Sequence, residues 1–247
     1  MMDQLVRFRS EEQTLFANFS LPYNGAPCIV MSHGVESSKD GDKWLVLAPM
    51  FYDAGFACLR FSYRGCGEGK EKSEGEFEDS TVTGRIKDYK AAIDFVETTD
   101  VDVGRLGVMG SSLGGMVVLA AQDPRVKAMV TLATPAKLLI PTGEQLDLYE
   151  KEEFFQLPSG RRLRTRFLRD VRQYDICKAA ASIGCPILII HGDADDTVPV
   201  ADAHYIYENA KEPKRLVVIP DGTHSFENPH HVEQLGNLAL DWFKQYL

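Results

Sequence analysis

The sequence predicts an α/β fold, a mostly parallel sheet of about eight strands with helices on both faces and a small insertion at one end. Three observations predict it. Short apolar runs recur at 27–31, 56–61 (broken only by Arg60), 187–190 and 216–219, as strands buried on both faces require. Stretches with helical spacing of apolar positions alternate with them. The chain is also long enough, at 247 residues, to bury one large core, and short for two.

Taken in order, residues 2–9 and 14–20 read as two strands around the polar turn Ser10-Glu11-Glu12-Gln13, an antiparallel hairpin. The run 27–31 is a buried strand that ends in Ser32-His33-Gly34. Residues 43–54 have helical character despite Pro49, and Gly55 stops them. The strand 56–61 follows, then a loop rich in Gly and charge from Tyr63 to about Glu78. Over 80–98 the apolar positions Val82, Ile86, Tyr89, Ala92, Ile93 and Val96 form a helical stripe. Strands at 105–111 and 126–132 flank a helix at 112–122. Helices at 200–210 and 231–246 follow the last two strands.

One region breaks this alternation. About 50 residues separate the strand near Thr131 from the one at Ile187, more than a crossover needs. Within them 143–155 reads as helical, 155–167 as two short strands around Pro158-Ser159-Gly160, and 168–180 as helical again. The expected organisation is a core of residues 1–135 and 176–247, with 136–175 as a cap laid over one end of the sheet.

Composition excludes several classes. The formal charge is −9, which argues against nucleic acid or an anionic membrane as the main partner. Cys28, Cys58, Cys66, Cys177 and Cys185 are odd in number and lack CxxC spacing, so a structural metal or disulfide framework is not expected. A reducing compartment fits. No apolar stretch approaches the length of a membrane span, and the first residues lack a signal core. The expectation is a cytoplasmic protein with no cofactor and no metal. The oligomeric state is left open, with a homodimer among the options.

The chemistry centres on Gly110-Ser111-Ser112-Leu113-Gly114. This is G-x-S-x-G with Ser112 in the middle, placed where a strand becomes a helix. Such a turn forces the serine into a strained backbone and lifts its hydroxyl clear of the sheet. Residues two before and two after must be small. For Ser112 these are Gly110 and Gly114; for Ser111 they would be Met109 and Leu113. Spacing therefore selects Ser112, although either serine can also serve as a plain helix cap.

A serine hydroxyl needs a base within reach. Among the six histidines, His224 lies in a loop after the final strand, where parallel sheets collect their chemistry. His33 and His191 end strands, His204 lies in a helix, and His230 and His231 open the last helix. An acid must orient the base. Asp193, Asp195 and Asp196 follow the strand at 187–190, and residue chemistry alone does not choose among them.

Together these pieces resemble the α/β-hydrolase family. The order of serine, acid and histidine is that family's order. His191-Gly192-Asp193-Ala194-Asp195-Asp196-Thr197-Val198-Pro199 is similar to its HGxxDxxVP pattern, which implies Asp195 as the acid. Ser32-His33-Gly34 resembles its HG loop, and Phe61-Ser62-Tyr63-Arg64-Gly65-Cys66-Gly67 its F-x-Y-R-G-x-G stretch. The resemblance implies an oxyanion hole from the backbone N–H groups of Leu113 and Val35. It makes His33 and Arg64 structural. Cys66 lacks the elbow spacing of a nucleophile. The insertion is also similar to the cap of cinnamoyl (feruloyl) esterases, with carboxylesterases, acylglycerol lipases and small serine peptidases as further relatives.

The implied activity is cleavage of small to medium acyl or aryl esters by Ser112, His224 and Asp195, with a small-molecule ester as partner. A peptidase, amidase or acylglycerol lipase with the same residues is the alternative, and a non-catalytic binding protein the reading from another class. Two features of the insertion stay open. Arg161, Arg162, Arg164, Arg166, Arg169 and Arg172 either meet an anionic substrate group or, the favoured reading, pair with Glu144, Asp147, Glu150, Glu152 and Glu153. Phe154, Phe155, Leu157, Leu163, Phe167 and Leu168 line a pocket or form the insertion's own core.

Overall fold

A computed structural model describes residues 3–138, 149 and 151–247. Its main sheet has eight strands in the order β1-β2-β4-β3-β5-β6-β9-β10. The hairpin β1 (Gln4–Ser10) and β2 (Gln13–Ser20) is antiparallel, and β2 joins β4 (Ala57–Phe61) antiparallel. From β4 onward every pairing is parallel, through β3 (Cys28–Ser32), β5 (Leu106–Ser111), β6 (Val126–Leu132), β9 (Ile187–Gly192) and β10 (Lys214–Ile219). The central strands β3, β5 and β9 are buried at every residue, which is why they read as unbroken apolar runs. The edge strand β1 alternates between core and solvent at its second half.

Helices cover both faces. On one side α1 (Asp42–Asp53) packs against α7 (Pro229–Tyr246), with Leu47, Phe51, Leu235 and Phe243 meeting Ile29, Met109 and Ile190. On the other, α2 (Val82–Val96), α3 (Leu113–Ala121), α5 (Ile176–Ser182) and α6 (Val200–Asn209) cover Val30, Val108 and Ile189. Pro49 is accommodated inside α1.

The insertion departs from expectation in two places. Phe154 opens strand β7 (Phe154–Gln156), which pairs with β8 (Arg162–Arg164), and does not end a helix. The alternation of a strand sends Phe155 toward the cavity and leaves Phe154 under Arg162 and Arg164. Most of the helix expected over 143–155, with Glu144, Asp147 and Glu150, lies outside the described residues. The helix expected over 168–180 is two, α4 (Arg166–Val171) and α5. Asp175 breaks it: its carboxylate accepts from the Lys178 N–H and starts a new helix there.

Candidate active site

Four of the parallel strands deliver residues to one end of the sheet. The turn after β5 presents Ser112 at φ 55° and ψ −125°, outside the regions open to an ordinary residue. Its N–H donates to the Leu132 carbonyl at 2.8 Å, which fixes the turn against β6. The small residues around it do separate jobs. A Cβ on Gly110 would stand 2.7 Å from the Gly114 oxygen and the Gly115 Cα. A Cβ on Gly114 would instead strike the Ser32 and His33 carbonyls. The expected mutual crowding holds for Gly110; Gly114 is small because β3 and its following loop press on it.

Ser112 Oγ lies 3.0 Å from His224 Nε2, and His224 Nδ1 lies 2.8 Å from Asp195 Oδ2. The loops carrying Asp195 and His224 touch through two glycines, since a Cβ on Gly192 would collide with the Gly222 carbonyl. The three aspartates are now told apart. Asp193 accepts the Asp221 N–H at 2.7 Å, and exposed Asp196 accepts from the Thr197 hydroxyl at 3.1 Å. Asp195 alone faces His224, with its side chain fully shielded from solvent. Its other oxygen accepts the Thr197 and Val198 N–H groups at 2.9 and 2.8 Å. Burial pushes its pKa up, but donation from His191, His224 and the Val198 amide outweighs this and holds it well below the usual carboxylate range.

His191 is a residue that sequence reasoning passed over as a strand end. It is fully buried, with Nε2 2.9 Å from the Val198 carbonyl and 3.2 Å from Asp195 Oδ2. Both neighbours are acceptors, so Nε2 carries the proton and Nδ1 is left unpartnered. His191 thus ties the acid to the loop that holds it.

The loop after β3 places Gly34 beside Ser112: a Cβ there would stand 3.3 Å from Ser112 Cβ. Val35 and Leu113 both border the cavity. Leu113 is the first residue of α3, where helix geometry leaves the N–H free. A second unforeseen residue fixes this loop. Arg85 is fully buried in α2 and donates to the Gly34 and Val35 carbonyls at 3.2 and 2.9 Å and to Ser80 Oγ at 2.9 Å. Its guanidinium also sits 4.6 Å over the Tyr63 ring. Its signal in the sequence is position: it falls on the apolar stripe between Val82 and Ile86, where an arginine needs a buried task.

His33 is structural, accepting the Tyr63 N–H at Nε2. Burial, with Arg85 nearby, pulls its pKa down to about 3. Arg64 binds Asp88 and Glu11. Cys66 is buried, and its thiol pKa is raised by that burial. Ser111, without a task in the sequence, accepts from Lys43 Nζ at 3.0 Å.

A cavity of about 1090 Å³ opens over Ser112 and His224. Phe155, Leu157, Leu163, Phe167 and Leu168 of the insertion line it, whereas Phe154 does not. Three of the arginines find partners outside the insertion among the described residues. Arg162 pairs with Glu78, and Arg164 and Arg166 with Asp79; Arg164 also meets Glu153. Arg161 stacks on Phe77 and borders the cavity. Among the described residues no cluster of three or more His, Cys, Asp or Glu is arranged to hold a metal ion. None of their helices is long and apolar enough to cross a membrane.

This is the fold of the α/β-hydrolase class. Within that class the chain belongs to the prolyl oligopeptidase family, whose model matches residues 46–247. It is 30% identical over 188 residues to the human palmitoyl-protein thioesterase ABHD10, mitochondrial, a match over 70% of this chain and 58% of the human protein. The chain therefore spans less than two thirds of that relative's length. Est1E from Butyrivibrio proteoclasticus with ferulic acid bound superposes with a TM-score of 0.86 over 98% of both chains, at 23% identity. The mouse α/β hydrolase domain-containing protein 10 gives 0.83 over 99% of both, also at 23%. At that identity the two structures show a shared fold.

Proposed function

We propose that the protein is a serine hydrolase of carboxylic esters. The observation that carries this is the chain from Ser112 Oγ to His224 to the buried Asp195, set at a strained turn on the floor of a cavity that the insertion walls with apolar side chains. Ser112 Oγ attacks the ester carbonyl carbon while its proton passes to His224 Nε2. Asp195 holds the Nδ1–H and stabilises the imidazolium. The Val35 and Leu113 amides donate to the oxyanion. The C–O bond to the alcohol breaks, and His224 returns the proton to the departing oxygen. Water, deprotonated by His224, then releases the acid from Ser112.

The names of two similar proteins bear on the substrate. Ferulic acid sits in Est1E and a thioester is the substrate class of the human relative. The five apolar insertion residues on the cavity suit an acyl or aryl group in either case. Cleavage of 4-nitrophenyl butyrate tests the reading. Ser112→Ala should lower kcat by about 10⁴-fold or more, and a fluorophosphonate should label the wild type at Ser112. Equal turnover in the two proteins would sink the proposal.

A further inference from the structure

We propose that Lys43 is an anion-recognition residue of the active-site cavity, and that the preferred substrates are esters carrying a free carboxylate. This rests on the esterase reading above and adds the substrate's charge to it.

Lys43 lies in the first turn of α1 and borders the same cavity as Ser112 and His224. Its ammonium donates to Ser111 Oγ at 3.0 Å and stands 5.7 Å from the centre of the Phe226 ring. Ser111 is itself buried and directly precedes the nucleophile. The ammonium is thus held by the same turn that holds Ser112.

Lys43 is half-buried, and its surroundings differ from those of the cations packed deeper in the fold. Lys39, four residues earlier, is ion-paired to Asp40 and Glu71 at 2.7 Å each. Arg60 meets Asp3 and Asp40, and Arg64 meets Asp88. Arg85 is matched by two backbone carbonyls and a hydroxyl. Among the described residues, no carboxylate pairs with Lys43. Glu36, Glu68 and Glu227 border the same cavity without pairing with it, and Asp195, whose charge acts on it, has both oxygens already taken by His224, His191 and two amides. Burial pulls the Lys43 pKa down to about 8, so it remains charged at neutral pH.

An ammonium half withdrawn from water and without a counter-ion carries a cost, which a charged group entering the cavity removes. An ammonium has three N–H donors. Ser111 accepts one, which leaves two for a group entering the cavity. A carboxylate supplies the missing charge and two acceptor oxygens. Arg161 is the rival cation on this cavity, but it is solvent-exposed and stacked on Phe77, so water satisfies it where it stands.

The test compares esters that differ by one negative charge. One pair is 4-nitrophenyl hydrogen adipate and its methyl ester, with the charge on the acyl side. The other is 4-acetoxybenzoate and its methyl ester, with the charge on the leaving group. In the wild type, kcat/KM should favour the anion by about tenfold or more in at least one pair, through KM. Lys43→Met should bring that ratio to about one, and Lys43→Arg should keep it well above one. Each ratio is internal to one preparation, so a partly folded variant does not distort it. The proposal is overturned by a wild-type ratio near or below one in both pairs, by a ratio that survives Lys43→Met, or by one lost with Arg161→Met instead. Binding is read separately by titrating monomethyl adipate into Ser112→Ala protein and following the fluorescence of Trp44, which borders the cavity. Lys43-dependent binding by a chain that cleaves no ester would sink the esterase reading, and with it the ester preference, while supporting Lys43 as the anion-recognition residue. Ester cleavage without charge preference would do the reverse.

Discussion

The loops that carry Ser112, Asp195 and His224 and the hairpin β7–β8 above them are built on opposite principles. The first are fixed by backbone contacts that leave no room for a Cβ at Gly110, Gly114 or Gly192, and by buried donors such as Arg85 and His191. The hairpin is attached by exposed ion pairs, Arg162–Glu78 and Arg164–Asp79, and by a few apolar side chains that double as cavity lining. Reacting groups must hold their geometry to a fraction of an ångström, and packed backbone does that. A wall that only has to suit a substrate's shape can rest on contacts that water and salt weaken.

Breaking the first region should have the larger consequences. Asp195→Asn keeps the shape but removes the charge and favours the wrong tautomer of His224. It should lower kcat by about 10³–10⁴-fold with a small change in thermal midpoint. His191→Leu removes one donor from Asp195 and should cost about 10–100-fold in kcat with KM little changed. His191→Gln, whose amide reaches the same place, should recover part of that loss, which a purely structural effect would not predict.

Lys43→Met sharpens the contrast from the side of stability. The folded-state pKa of Lys43 lies below its unfolded value, so the unfolded chain binds more protons between about pH 8 and 10.5 and wild-type stability gains with pH there. Below pH 8 the full burial cost is present. At pH 7 Lys43→Met should therefore be the more stable protein by on the order of 1–2 kcal/mol, and the gap should close toward pH 10.5. Chemical denaturation of both proteins across that range measures it. The smallest effect belongs to the hairpin. Asp79→Asn removes an exposed partner of Arg164 and Arg166, and should shift the thermal midpoint by no more than about a degree or two. Its KM for bulky aryl esters should rise by no more than about threefold, and 0.5 M salt should produce a similar rise in the wild type.

Much of this was legible in the chain. The core strands were readable because burial on both faces leaves only apolar residues in them, as in β9. The serine turn was readable because spacing alone separates Ser112 from Ser111. Asp195 was chosen by resemblance, since Asp193 and Asp196 offer the same chemistry in the same loop. Helix breaks were less readable: Asp175 looked like any polar residue on a helix until its carboxylate was seen to cap one.

What the sequence determined by itself is local and periodic: the α/β alternation, the strained turn at Ser112, and the order of Ser112, Asp195 and His224 along the chain. What tertiary structure alone decided is which distant groups share one buried space. Arg85 reaches the Gly34 and Val35 carbonyls from α2, His191 grips Asp195, and Lys43 shares a hydrogen bond with Ser111 across 68 positions of chain. Spacing in sequence carries no record of such meetings. They arise because helices and strands far apart in the chain pack at one end of the sheet, where each buried charge must find a partner or be left to await one.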